Sequence, residues 1–259
     1  MSISGRWRSK IRLLTDHRAD LVGESTRVQN RLRWHLVSLC PKLEASLALR
    51  TLAGARQLDR VDRRLRRMDP CARVRVAREQ VSQLRRLTRQ TAALERELAA
   101  LVKAYRPQLL EETGCGTLTA ATLIGRTAGA KRFESDASFA RQAGIAPIQC
   151  SSGNRARHQL HRGGDRQLNR ALHVIAVTRA RVDPATKAYL ERKEAEGKTK
   201  KGALRCLKRH LARRFYRLLM PPADGIAPER NSSADALTRR QHDGANTTLS
   251  APAIMPCLK

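Results

Sequence analysis

The chain is predicted to be mainly α-helical, and three observations predict it. Leu14, Leu21, Val28, Leu32 and Leu39 fall near helical spacing, with Arg and Asp on the opposite side. Leu84, Leu87, Thr91, Leu94, Leu98, Leu101 and Tyr105 alternate steps of three and four, the pattern of a coiled-coil seam. Leu204, Leu207, Leu211, Phe215 and Leu218 form an apolar stripe on a stretch whose remaining positions are mostly Lys and Arg. Together they predict a long helical hairpin or short coiled coil over residues 1–106. A compact helical domain should follow over 107–220, and a disordered tail over 221–259.

Taken in order, the first helix runs to Leu39, where Pro41 ends it or follows its end. A second basic helix is expected from about Ala48 to Arg67, punctuated by Asp69-Pro70. The seam from Leu84 to Tyr105 is short for an isolated coil, so it could pair between copies or fold back on the first helix. Pro107 opens the second region. Gly114-Cys115-Gly116, placed between two short helices, resembles the turn of a helix-hairpin-helix element. Such glycines let backbone N–H groups and a helix N-terminus approach a phosphate, which makes Gly114 and Gly116 candidate contacts. A helix is expected from Asp136 to Ala143, and an extended segment after Pro147, from Ile148 to Ser151.

Residues 151–164 are glycine-bounded, polar and positive, and contain no acid. A loop of that kind builds little core and suits a phosphate backbone. A helix from about Asp165 to Arg181 follows, with Asp165 as N-cap and Leu168, Leu172, Ile175 and Val182 on one face. Pro184 starts another helix that ends near Gly197. From Gly197 to Ala223 there is no acid at all. The tail, rich in Ser, Thr, Asn, Ala and Pro, shows no period.

Charge bounds the partners. The chain holds 52 Lys and Arg against 23 Asp and Glu, a formal charge of +29. A compact unit with that excess repels itself, so a polyanion, first of all nucleic acid, is the expected partner. Candidate contacts are Lys131, Arg132, Arg155, Arg157, Arg162, Lys208, Arg209 and Arg213, besides the two glycines. Aromatics are only 3 % of residues, which argues against binding by stacked single-strand bases. No stretch reaches the roughly 18 apolar residues of a spanning helix, and no signal peptide is evident; a cytoplasmic protein without membrane contact is expected. The six cysteines lack short pairings, so neither a disulfide framework nor a metal site is expected.

The stretch from about Leu109 to Leu219 resembles the C-terminal domain of insertion-sequence-110 (110/116/902) family transposases. It does so through Gly114-Cys115-Gly116, Arg132-Phe133, Ala143-Gly144-Ile145-Ala146-Pro147, Ser152-Gly153, and Gly164 ahead of Leu168-Asn169-Arg170-Ala171-Leu172. Two N-terminal stretches, Asp16 to Val22 and Thr26 to Leu32, resemble the helices that follow the nuclease domain in the same family. The resemblance implies double-stranded DNA and a structured guide RNA as partners. It further implies a serine nucleophile, which falls on Ser152, with Ser151 beside it; homo-oligomers are expected separately, from the seam between Leu84 and Tyr105. The resemblance also implies an N-terminal RNase H-like domain whose acids hold magnesium. No such acids precede the first helix, and Asp59-Arg60-Val61-Asp62 sits in a basic helical stretch where it reads as a solvated face. The expectation is therefore a truncated copy, inactive alone, with no cofactor of its own and Mg²⁺ only alongside the missing domain.

Arg155, Arg157 and Arg162 could draw charge off a phosphate attacked by Ser152, and His158 is a conceivable base. Two other readings fit the charge: a non-enzymatic helix-hairpin-helix DNA-binding protein, and an RNA-binding structural protein.

Overall fold

A computed structural model describes residues 3–47, 52, 54–152, 155–161 and 163–220, with the backbone alone for 3–4, 149–152 and 155–160. The predicted tail and Arg162 lie outside the described residues. The mainly α prediction holds: nine α-helices and one two-stranded ribbon make up the described chain.

Helix α1 (Ile3–Leu39) and helix α4 (Ala72–Tyr105) pack along each other as an antiparallel pair. Their register is set by Lys10–Glu97 at 3.0 Å, Arg18–Glu95 at 2.6 Å and Gln83–Glu24 at 3.3 Å. The leucine seam thus folds back within one chain, burying Leu84, Leu87, Leu98 and Leu101. On α1, Val28 and Leu32 are buried as predicted; Ile11 and Leu36 join them, while Leu14, Leu21 and Leu39 are half-buried. The short helix α2 (Pro41–Ala45) opens on Pro41. Helix α3 (Ala55–Leu65) is shorter than the predicted basic stretch and packs on α4.

Two apolar cores result. One joins Val28, Leu32 and Leu36 of α1 to Leu58, Val61 and Leu65 of α3 and Val81 and Leu84 of α4. The other starts from Ile11 of α1 and Leu98 and Val102 of α4 and continues through residues 109–219. Into it go helix α5 (Thr117–Thr127), helix α6 (Asp136–Gln142), helix α7 (Arg166–Val182) and helix α9 (Lys200–Leu219). Helix α8 (Pro184–Ala195) packs against α7 and α9. The predicted cap is present: the Asp165 carboxylate accepts from the Gln167 and Leu168 N–H groups at 2.8 and 3.1 Å. Leu168, Leu172 and Ile175 are buried as expected. Val182 is 60 % exposed, because its turn of α7 runs past the edge of the core.

Asp62 departs from the solvated face that its spacing in a basic stretch suggests, while Asp59 is exposed. Asp62 is only 8 % exposed and meets Arg85 at 3.2 Å and Arg66 at 3.1 Å. Asp59 meets Arg85 at 2.6 Å. Burial alone would raise the Asp62 carboxyl, but the bonds from Arg66 and Arg85 outweigh it and hold it below its usual range. The spacing joins α3 to α4 across a shared guanidinium.

Candidate nucleic-acid interface

The predicted loop at 151–164 is instead largely a β-hairpin. Strand β1 (Pro147–Ser152) pairs antiparallel with strand β2 (Arg155–Leu160), and two residues separate them in sequence. A polar run without acids can satisfy its backbone by this pairing rather than by burial. Ser152 lies directly opposite Arg155, Ser151 opposite Ala156, Cys150 opposite Arg157, and Gln149 opposite His158. Strand positions alternate between faces and directly paired positions share one. The register therefore sets Ser152, Cys150, Arg155 and Arg157 at positions of one face, and Ser151 and His158 at positions of the other.

The base of this hairpin is locked at both ends. On the entry side, the Ile145 and Ala146 N–H groups donate to the Ala140 carbonyl at 2.9 and 3.1 Å. On the exit side, the Asp165 N–H donates to the Gln142 carbonyl at 2.6 Å. Gly144, at φ 65°, and Gly164 touch backbone to backbone: a Cβ on Gly164 would lie 2.3 Å from the Gly144 Cα. The Asn169 amide, one turn into α7, donates to the Ala143 and Gly144 carbonyls, each at 3.0 Å. Its carbonyl oxygen accepts from the Lys208 ammonium at 2.5 Å.

That bond to Asn169 corrects the expectation that Lys208 meets phosphate. Lys208 is 8 % exposed, on the core side of α9 rather than its wet face. Burial, with Arg205 nearby, pushes its ammonium below the ordinary 10.5. Burial and the Lys208 charge likewise push His173 below the ordinary histidine value. Arg213 is exposed but tied to Asp136 at 2.9 Å. Arg209 is half-buried, with one guanidinium nitrogen enclosed and unpaired. Lys131 and Arg132 are exposed, Arg132 stacked 4.6 Å over the Phe133 ring.

The two turn glycines differ. Before them stands a 3₁₀ turn, Pro107–Leu109, and then irregular chain, so no α-helix flanks the turn on that side. Gly114 has φ 82° and faces α7, where a Cβ would come within 3.0 Å of the Ile175 carbonyl oxygen. Its freedom from a side chain is spent on packing. Gly116 is the N-cap of α5, and an added Cβ would meet nothing within 4 Å. Of the pair, only Gly116 leaves room for a ligand.

Glu112 is a functional-domain residue that sequence reasoning missed. It is buried between Arg214, at 2.6 Å, and Arg179, at 3.2 Å, and ties the turn to α9 and α7. The Arg214 hydrogen bond, supported by Arg179, holds its carboxyl below the ordinary 4.5. The acidic pair Glu111-Glu112 beside Gly114-Cys115-Gly116 in a basic region is the signal that could have found it. Among the described residues no three His, Cys, Asp or Glu side chains gather to hold a metal ion, and the carboxylates of Asp59 and Asp62 are engaged by arginines. The residues described do not fit magnesium. No helix among the described residues is long and apolar enough to cross a membrane.

Residues 107–191 match the model of the Transposase IS116/IS110/IS902 family. The resemblance read from residues 109–219 is borne out over that span. The chain is 39 % identical over 127 residues to the insertion element IS110 uncharacterized 43.6 kDa protein of Streptomyces coelicolor, covering 48 % of this chain and 31 % of that protein. It is 28 % identical over 244 residues to the insertion element IS900 uncharacterized 42 kDa protein of Mycobacterium paratuberculosis, covering 77 % of this chain and 61 % of that protein. The chain thus spans less than two thirds of either relative.

Proposed function

We propose that this chain, whose residues 107–191 carry the IS116/IS110/IS902 transposase domain, serves DNA transposition of an insertion sequence by presenting Ser152 to a DNA phosphodiester. One observation carries the reading most: the hairpin register sets Ser152 opposite Arg155 and next to the position of Arg157 on a face without acids. A serine hydroxyl is a weak nucleophile until its target's charge is neutralised, which two arginines on the same face are suited to do. The Ser152 oxygen bonds to phosphorus, one ester P–O bond breaks, and the departing oxygen takes a proton. The phosphoserine keeps the bond energy, so attack by a free DNA hydroxyl rejoins the strand and returns the serine. His158 falls at a position of the opposite face and is not assigned as the base.

Double-stranded DNA is the substrate this reading requires, held by Lys131, Arg132 and the open N-terminus at Gly116 around the hairpin. A structured RNA and further copies of the chain are the remaining partners of this reading. The test is a covalent adduct with DNA carrying the element's ends, supplied with an intact copy of the full-length relative. Wild-type chain should become labelled and Ser152→Ala should not. An adduct that survives Ser152→Ala removes the serine role, whereas wild-type chain that binds the DNA and forms no adduct leaves a non-catalytic DNA-binding protein. That second reading is favoured by the unencumbered Gly116 cap of α5, which leaves room for a phosphate and needs no chemistry.

A further inference from the structure

We infer that Asn169 and Lys208 are positioning residues for Ser152, acting through the base of its hairpin; the inference rests on the serine role in the proposed function. Among the described residues β1 and β2 pair with each other and no helix packs along them, so the direction of the ribbon is set where it leaves the body. Two kinds of bond act there. One kind closes the base on itself: Ile145 and Ala146 donate to Ala140, Asp165 donates to Gln142, and a ring nitrogen of His161 lies 3.2 Å from the Arg141 carbonyl oxygen. The other kind ties that base to α7 and α9, through the Asn169 amide to the Ala143 and Gly144 carbonyls and through Lys208 to the amide.

Lys208 decides which way the amide points. An ammonium only donates, so it takes the amide oxygen, and the NH₂ group is left turned toward the two carbonyls. A buried ammonium is a costly way to fill that place, because burial disfavours its charge and an apolar chain of similar length would bear no such cost. The lysine is explained by the direction it imposes on Asn169 rather than by stability. Direction matters because Ser152 stands at the far end of β1. Five residue intervals separate it from Pro147, about 17 Å at about 3.4 Å each. Over that length a pivot of about 10° at the base swings the serine position by about 3 Å. A misplacement of about 1 Å already costs on the order of 100-fold in rate. Lys131, Arg132 and Gly116 lie outside the ribbon and do not swing with it, so a loosened base separates the serine from the groups that hold the DNA.

The test follows the single-turnover rate at which the full chain forms its DNA adduct, with DNA carrying the element's ends and an intact copy of the full-length relative. Lys208→Met should lower the maximal rate at least about tenfold. The DNA concentration at half-maximal rate should stay unchanged, and the urea midpoint should stay unchanged or rise. Asn169→Asp keeps an acceptor for the ammonium but loses the donor to both carbonyls, and should slow the reaction as much. The double variant should be no slower than Asn169→Asp, because both changes act through one amide. Wild-type rates in both single variants, beside no adduct in Ser152→Ala, overturn the inference and leave the serine role standing. A raised half-saturating DNA concentration with the maximal rate intact also overturns it, since the pair would then serve binding. A second measurement needs no adduct: the distance between spin labels at positions 131 and 152, attached to a ketone-bearing amino acid so that the native cysteines stay. Its distribution should widen by about 3 Å in Lys208→Met and in Asn169→Asp. An unchanged width overturns the positioning role, even if an adduct surviving in Ser152→Ala has already removed the serine role.

Discussion

The ammonium of Lys208 donates to the side-chain carbonyl of Asn169 at 2.5 Å, and the same Asn169 holds two backbone carbonyls at the base of the Ser152 hairpin. A buried cation, an amide and the segment that leads into the hairpin thus form one chain of hydrogen bonds. Asn169→Ala strands the ammonium and frees both carbonyls. It should cost about 2–3 kcal/mol in urea unfolding, the range for buried groups left unpaired. Hydrogen exchange at the Ile145 and Asp165 amides should accelerate. Unchanged exchange there would show that the hairpin base does not rely on Asn169.

Lys208 also predicts a pH dependence. Its folded-state value lies below the ordinary 10.5, so at neutral pH the folded state bears the cost of a buried charge. The unfolded chain holds the proton more tightly. Stability therefore gains from this group as pH rises from the lowered folded value toward 10.5. Lys208→Met should remove that gain while leaving the salt dependence of DNA binding unchanged, because the ammonium faces Asn169 rather than solvent. A shallower salt slope in Lys208→Met contradicts its placement.

Glu112 acts with the opposite sign. Held below 4.5 by Arg214 and Arg179, it contributes stability that is present above 4.5 and lost as pH falls through the lowered folded value. Glu112→Gln should cost about 2 kcal/mol at neutral pH, less than a fully enclosed pair because the Arg214 side chain is 59 % exposed. Its acid limb should be shallower than that of wild type in pH-dependent denaturation.

Gly164→Ala and Gly116→Ala form a matched pair. The first drives a methyl to 2.3 Å from Gly144 backbone and should destabilise by about 3 kcal/mol or prevent the hairpin base from closing. The second enters open space and should cost less than about 1 kcal/mol, the penalty of a poorer N-cap. Calorimetry of the two variants checks the contrast. A DNA-affinity loss in Gly116→Ala then reports a phosphate contact rather than unfolding.

Cys115 is buried, and burial raises its thiol to about 11, whereas Cys71 is exposed. Since the thiolate is the reacting form, alkylation at pH 8 should label Cys71 within the time that leaves Cys115 intact. Mass spectrometry of partially labelled protein decides this, and early modification of Cys115 would place it at the surface.

Much of the fold is legible in the sequence because periodicity is a direct trace of burial. The seam from Leu84 to Leu101, the Asp165 cap and the stripe at Leu207, Leu211 and Phe215 all stand where the spacing puts them. Three features are hidden. The hairpin pairs residues that carry no apolar alternation, so its register cannot be read from hydrophobicity. Lys208 sits one residue from Leu207 in a run of cations, and nothing in composition separates the buried one from its exposed neighbours. The role of Gly114 depends on α7, more than 50 residues later, so the local Gly-x-Gly pattern overstates its access to a ligand.

Helix α4 belongs to both cores, and that has a mechanical consequence. Arg75 stands near its start, while Val102, near its end, is packed in the core of the serine domain. At 1.5 Å of rise per residue the two are separated by about 40 Å along a stiff rod braced by α1. The spacing between the two cores is set by helical pitch, not by a slack tether.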